Sequence, residues 1–216
     1  MLLSKLETLL FIGDSITDCD RARPIGEGLL DALGKGYVAL VDAMLRSRHP
    51  DIPIRVLNMG TNGDTVRDLK KRWDSDVISL KPDWVSIMIG INDVWRQYDL
   101  PQIAEMHVKL EEYEMTLRDL LTKTIMLTKG IFLLSPFYIE ANLNDDMRKT
   151  INEYGNVVKK IASDYGLIYI DVQSAFDDFL IYKYPAEISW DRVHPNLTGH
   201  LIIADTIIKT IEQMEP

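Results

Sequence analysis

Four short polar segments of this 216-residue chain hold the residue types that nucleophilic chemistry uses. Gly13-Asp14-Ser15-Ile16-Thr17 offers a hydroxyl. Asp191-Arg192-Val193-His194-Pro195-Asn196 offers an imidazole three residues after a carboxylate. Acyl transfer needs a nucleophile, a base to take its proton, and a group that orients the base. Ser15, His194 and Asp191 therefore form a candidate Ser–His–Asp triad. Pro195 restricts His194 to extended conformations and so limits where its imidazole points. The Asp-x-x-His pair, taken alone, also reads as a structural salt bridge or a helix cap. Gly60-Thr61-Asn62-Gly63-Asp64-Thr65 and Gly90-Ile91-Asn92-Asp93 complete the set. Singly, each of these reads equally as a capped turn.

Positioning these segments requires a scaffold, and the apolar pattern supplies one. Thr8–Ile12, Ile54–Met59, Trp84–Ile89, Gly130–Leu134 and Leu167–Ile170 are apolar on both faces, as parallel strands between helix layers are. Helical patterns fall at Tyr37–Arg48, Thr65–Ser79, Pro101–Leu127, Asp145–Tyr165, Asp171–Tyr182 and Thr198–Met214. In Thr65–Ser79 the residues Val66, Leu69, Trp73 and Val77 recur every three or four positions. Pro101 suits the first turn of a helix. Five βα units in series predict a right-handed, three-layer α/β/α sandwich around a five-stranded parallel sheet, with residues 1–216 as one domain. Thr17–Lys35 fits least well and reads as a functional loop carrying a helical turn. Ligands of such sheets bind beyond the carboxyl ends of the strands, and three of the polar segments directly follow strands one, two and three.

Gly13-Asp14-Ser15, Gly63, Asn92 and Asp191-x-x-His194 match, in order, the four motif blocks of the SGNH (GDSL-like) hydrolases. The resemblance runs from residue 13 to residue 196, with Ile16 where many relatives have Leu. It implies a flavodoxin-like SGNH hydrolase fold. It also implies Ser15 as nucleophile, His194 as general base and acid, and Asp191 as its orienting carboxylate. The implied oxyanion hole comprises the Ser15 and Gly63 backbone N–H groups and the Asn92 side-chain amide. Residue types agree: glycine lets backbone approach a substrate closely, and an uncharged amide suits an oxygen that becomes anionic.

Three longer runs, Gly13–Gly28, Thr65–Asp99 and Asp191–Gly199, look like the intracellular acetylxylan-esterase branch of that family. This likeness implies a cytoplasmic, metal-free enzyme that removes acetyl groups from small acetylated xylo-oligosaccharides and assembles as a homo-oligomer. Trp95, Tyr98, Tyr184 and Trp190 lie near the motifs and are candidates to wall the site and stack on a sugar ring. Asp14 is placed beside Trp95, Tyr184 and Trp190 as a substrate contact. An aromatic near a loop also reads as core or as an oligomer contact. Two rival functions stand beside this one. A lysophospholipase or thioesterase would keep the chemistry and need an apolar acyl groove; a non-catalytic carbohydrate-binding protein would keep only the fold.

Composition narrows the field further. The formal net charge of −9 disfavours a nucleic-acid partner, and the short Lys/Arg runs Lys70-Lys71-Arg72 and Lys159-Lys160 read as solvated helix faces. No apolar stretch approaches the ~18 residues of a membrane helix, so no membrane partner is expected. The N-terminus makes a poor signal peptide. Cys19, the one cysteine, forbids an internal disulfide and suits a reducing cytoplasm. It reads as a buried structural thiol, because no second base motif accompanies it. His49, His107 and His200 lack zinc spacing, the acids around Asp14 lack the glycine and glutamate of a calcium loop, and Gly26-Glu27-Gly28 is no dinucleotide fingerprint. No metal or organic cofactor is implied. Arg55, inside a strand, reads as an edge or interface charge.

Overall fold

The computed structural model describes residues 1–214. Five strands, β1 (Thr8–Gly13), β2 (Arg55–Asn58), β3 (Trp84–Met88), β4 (Gly130–Leu134) and β5 (Ile168–Ile170), form one sheet in the order β2-β1-β3-β4-β5. Every pairing is parallel, with Leu9 opposite Val56 on one side of β1 and Trp84 on the other. This is the flavodoxin-like order that the resemblance implied. Leu9, Leu10, Phe11 and Ile12 are all fully buried, as a central strand covered by helices on both faces must be.

The helices are α1 (Ser15–Asp18), α2 (Tyr37–Arg48), α3 (Val66–Asp76), α4 (Ile91–Asp99), α5 (Leu110–Thr124), α6 (Asp146–Tyr165), α7 (Val172–Leu180) and α8 (Leu197–Gln213). α2 packs against α8, and α7 against α8, whereas α3 packs on α5 and α6 on both α4 and α5. Those two groups are the outer layers. Trp73 of α3 shows how the second layer is fixed: it is fully buried, and its indole N–H donates to Thr124 Oγ1 on α5 at 2.9 Å. The two helices are thus joined without an orphaned donor. Among the described residues, no helix is long and apolar enough to cross a membrane.

Two expectations need correction. The helix expected over Pro101–Leu127 begins only at Leu110, and a separate helix, α4, occupies the segment read as a loop after β3. Pro101 ends structure here instead of starting it, because a residue before proline is driven out of the helical region. Leu100 accordingly has φ −128° and ψ 51°. The helix expected over Thr65–Ser79 ends at Asp76 and is followed by a 3-10 turn at Ile78–Leu80. The Thr17–Lys35 segment does carry a helical turn, a 3-10 turn at Leu30–Leu33. Arg55 begins the edge strand β2 and pairs with Glu27 at 2.6 Å.

Candidate active site

The strand order reverses between β1 and β3, which is where doubly wound sheets open a crevice. Ser15 leaves β1 there as the first residue of α1. Asp14 starts that helix by accepting the Ile16 N–H on its side chain at 3.0 Å. Gly13 is needed for the turn: a Cβ would lie 2.3 Å from the Met88 carbonyl oxygen and 2.4 Å from Thr17 Oγ1. The Ser15 hydroxyl reaches Nε2 of His194 at 2.8 Å, across 179 residues.

The imidazole is fixed from its other side. His194 Nδ1 donates to Asp191 Oδ2 at 2.6 Å, so Nε2 is left to accept the serine proton. Asp191 Oδ1 accepts the backbone N–H groups of Val193 at 2.9 Å and His194 at 2.8 Å, and the Ser189 hydroxyl at 3.1 Å. This is an Asx-type turn, and it forces Arg192 to φ +64°. Neighbouring contacts hold that strained residue: Ile139 N–H donates to its carbonyl at 2.8 Å, and its guanidinium pairs with Glu140 and lies over the Tyr138 ring. Partial burial pulls the Asp191 carboxyl up. The bonds from His194 and Val193 outweigh that and hold it at about 2, so the group facing the imidazole is a carboxylate.

The remaining donors come from two further loops. Gly63 has φ +80°, a conformation that favours glycine, and among the described residues its N–H finds no backbone acceptor. The Ser15 N–H, at a helix start, has none either. Thr61 N–H donates to the Gly13 carbonyl at 3.0 Å and Asn62 N–H to Asp18 Oδ2 at 3.0 Å, which ties the Gly63 loop to the nucleophile's helix. Asn92, 2% exposed in the first turn of α4, spends one amide hydrogen on the Asp64 carbonyl at 3.0 Å and keeps a second. Replacing Asn92 by Ala should lower kcat about 10²–10³-fold, the size of one oxyanion donor. Steady-state kinetics on a folded variant checks this, and full retention of kcat would exclude the role.

Among the expected substrate contacts the structure divides. Trp95 stands beside the triad, its ring centroid 5.8 Å from that of His194 and edge-on to it. Tyr184 and Trp190 are strongly exposed, Trp190 at 92%, and line a groove of about 620 Å³ with Glu140, Tyr182 and Arg192. That groove adjoins Asp191 through Ser189 and Arg192 but is not lined by Ser15 or His194. Tyr98 lines a second hollow of about 370 Å³ with Trp95 and Tyr138. Asp14 is a correction: at 1% exposure its carboxyl faces no open surface, and its work is to cap α1.

Sequence reasoning missed Ser189 and Asp93. The reading of Arg72 as part of a solvated helix face is corrected: its side chain is 16% exposed because two backbone carbonyls and two acids take its donors. Asp93 is fully buried and accepts the Val66 N–H at the start of α3, at 3.0 Å and 3.3 Å to its two oxygens. Its position directly after Asn92 was the available signal. Cys19 also differs from expectation, being half-buried. Tyr37 N–H donates to His200 Nδ1 at 3.2 Å, so the Nε2–H of that ring faces the Cys19 sulfur at 3.4 Å and cannot serve it as a base. Burial also pushes the thiol up from its ordinary value. A neutral thiol results, with no nucleophilic role.

The buried acids under the site give stability a pH dependence. Burial pushes Asp14 up to about 7 and Asp93 up to about 8, against backbone hydrogen bonds that pull both down. Unfolded, each would ionise near pH ~3.9. The folded chain therefore keeps protons that the unfolded chain has released, and stability falls as pH rises until both groups have ionised. His200 acts in the opposite sense, since burial lowers it to about 4. Its unfolded counterpart has lost its proton above about pH 6.5, so the acids alone decide the trend beyond that point. The urea midpoint should drop between about pH 6.5 and about pH 8.5, and Asp93→Asn should flatten the drop. A midpoint constant over that interval in the wild type would contradict the account.

The chain's likenesses agree with this geometry. Residues 11–202 match the model of the GDSL-like lipase/acylhydrolase family. A curated acetylxylan esterase of Geobacillus stearothermophilus is 58% identical over 205 residues, covering 95% of this chain and 94% of that protein. The crystal structure of Axe2, an acetylxylan esterase from the same organism, superposes with a TM-score of 0.97 at 57% identity, covering 100% of this chain and 98% of that one. Solved structures of Axe2 include the catalytic mutants S15A, D191A and H194A. With the four motif blocks assembled on one sheet edge and the family match spanning nearly the whole chain, the protein belongs to the GDSL-like lipase/acylhydrolase family.

Proposed function

We propose that this protein is a serine esterase that removes acetyl groups from xylo-oligosaccharides, with Ser15, His194 and Asp191 as its catalytic residues. One observation carries the reading: a continuous hydrogen-bond chain runs from the Ser15 hydroxyl through His194 to the Asp191 carboxylate. The acetylxylan esterase likenesses, and the Axe2 catalytic mutants at residues of the same type and number, support the substrate and the roles.

Ser15 Oγ attacks the acetyl carbonyl carbon as its proton passes to His194 Nε2. The carbonyl oxygen becomes anionic and takes hydrogen bonds from the Ser15 and Gly63 amides and the free Asn92 amide hydrogen. The tetrahedral species collapses, the sugar oxygen leaves with the proton from His194, and acetyl-Ser15 remains. Water then repeats the sequence: His194 takes its proton, its oxygen attacks the acetyl carbon, and acetate leaves as Ser15 regains the proton. Asp191 stays ionised throughout and stabilises the imidazolium formed in each half.

Cytoplasmic placement is proposed with this function, supported by a single cysteine and no disulfide chemistry. In that compartment the substrate is a short oligosaccharide, not polymeric xylan. A homo-oligomer is also proposed. It is supported by Ile181, Tyr182, Tyr184 and Trp190, whose exposed side chains cluster around one groove, as apolar contact surfaces do.

Acetate release from acetylated xylo-oligosaccharides, followed by NMR with wild type and Ser15→Ala side by side, tests the function. Parallel reactions use p-nitrophenyl esters of two, four and eight carbons. Ser15-dependent deacetylation with preference for the two-carbon acyl group is expected. Preference for eight carbons with no sugar deacetylation would keep the mechanism and overturn the substrate in favour of a lysophospholipase or thioesterase. No cleavage of either set would leave a carbohydrate-binding protein.

A further inference from the structure

We infer that Arg72 is a positioning residue for this reaction: it fixes the loop bearing the Gly63 amide against the strand end bearing the Ser15 amide. The inference rests on the proposed role of those two amides as oxyanion donors. Arg72 projects from α3 with a side chain only 16% exposed. Its Nη2 donates to the Gly13 carbonyl at 3.0 Å, at the end of β1 and two residues before the nucleophile. Its Nη1 donates to the Met59 carbonyl just beyond β2 at 2.6 Å, and to Asp76 at 2.8 Å. Its Nε donates to Asp64 Oδ2 at 2.6 Å. One planar cation thus touches the nucleophile's strand, the neighbouring strand end and the residue that follows Gly63.

Such bracing is needed because Gly63 itself is held by little. It is exposed, lies outside regular structure, and has open space where a Cβ would stand. Its neighbours fix it instead. Asp64 is 8% exposed and gripped twice, by Arg72 through its carboxylate and by Asn92 through its carbonyl. Asn92 is the third proposed donor, so Asp64 and Arg72 together link all three. An oxyanion donor works only within about 2.7–3.1 Å of the developing charge. A displacement of about 1 Å from a change outside the chemistry can cost about 10²-fold. A guanidinium presents five donors in a fixed plane, whereas an ammonium is a compact point charge on a flexible stem. Lysine at position 72 would keep the charge beside Asp64 and Asp76 without spanning Gly13, Met59 and Asp64 at once.

The test uses Arg72→Lys, Asp64→Ala and Asp64→Asn with p-nitrophenyl acetate as substrate and phenylboronic acid as the inhibitor. The boronate forms a tetrahedral adduct on a reactive serine and needs the same donors as the oxyanion. Arg72→Lys should lower kcat about 10–100-fold with KM changed less than about threefold, and should raise the boronate Ki by a factor similar to the loss in kcat. Asp64→Ala should behave likewise. Asp64→Asn keeps an oxygen that can accept from Arg72 Nε and should recover most of the loss. A merely structural role would lower the melting temperature and leave the kcat-to-KM split and boronate Ki unmoved. Wild-type kcat in folded Arg72→Lys, or a fall in kcat with boronate affinity intact, would overturn the inference. Should Arg72→Lys fail to fold, the Asp64 pair decides: equal kcat in Asp64→Ala and wild type overturns it. Failure of the underlying reading is separately visible, because Ser15→Ala would then keep its activity.

Discussion

Ser15→Ala should lower kcat about 10⁶-fold, by analogy with nucleophile deletions in other serine triads, and should abolish labelling by an organophosphonate. Among the described residues, this hydroxyl is the nucleophile that can both lose a proton to His194 and form the covalent acetyl intermediate. Its loss removes the two-step route altogether. What remains is the oxyanion hole and substrate binding, which leave about 10³–10⁴-fold over water in comparable enzymes. KM should move little, because truncating one hydroxyl leaves the walls of the site in place. Folding should be untouched as well. α1 is capped by Asp14, not by Ser15, and the Asp191–His194 bond does not depend on the hydroxyl. Partly exposed positions without such duties change stability by about 0.5 kcal/mol or less on substitution. Coincident melting curves for the two proteins, with a kcat near wild type in the variant, would remove Ser15 from the mechanism.

The parts of this protein that the sequence made legible are those where one physical requirement dominates. β4 needed only to be apolar on both faces, and its bounds Gly130–Leu134 emerged as expected; Tyr37–Arg48 did so for α2. α4 was missed because Asn92 and Asp93 make its first turn read as a polar loop. Its buried first turn is Ile91, Asn92, Asp93 and Val94, in which the two polar residues are satisfied by the Asp64 carbonyl and the Val66 N–H. An apolar period is present all the same, with Ile91, Val94, Trp95 and Tyr98 at i, i+3, i+4 and i+7, and the window that begins at Pro101 passes it over. Asp14 was misjudged for a related reason. Adjacency to Ser15 says nothing of direction: the Asp14 side chain turns back to cap α1 and is buried, whereas the Ser15 hydroxyl meets His194. The triad was legible from residue types and order, but its closure spans 179 residues and had to await the fold. Arg72 reads with Lys70 and Lys71 as a solvated face, because its partners, two backbone carbonyls and two acids, lie mostly outside its own helix.

Asp191→Asn should lower kcat about 10⁴-fold while leaving the fold in place, a larger loss than the near-isosteric change suggests. The reason lies in which oxygen does what. Asp191 Oδ1 is committed to two backbone N–H groups, Val193 and His194, and these pin an acceptor at that position. An asparagine keeps its oxygen there and so must place its NH2 where Oδ2 now faces His194 Nδ1. Two donors cannot meet, so the ring adopts the other tautomer, with Nδ1 accepting and Nε2 carrying the proton. Nε2 then points a hydrogen at Ser15 Oγ and cannot take one from it. The imidazolium of the transition state also loses its counter-charge. KM should change little, since Asp191 acts through His194. Stability should favour the wild type near neutral pH, and the two proteins should converge in acid. The carboxyl is held at about 2 in the folded chain, so its contribution is present above its unfolded value near 3.9 and is lost as pH falls through about 2. Near neutral pH, NMR of the His194 ring should report Nδ1–H in the wild type and Nε2–H in the variant. An Asp191→Asn variant with wild-type kcat, or one whose imidazole keeps its proton on Nδ1, would show that Asp191 does not set the state of the base.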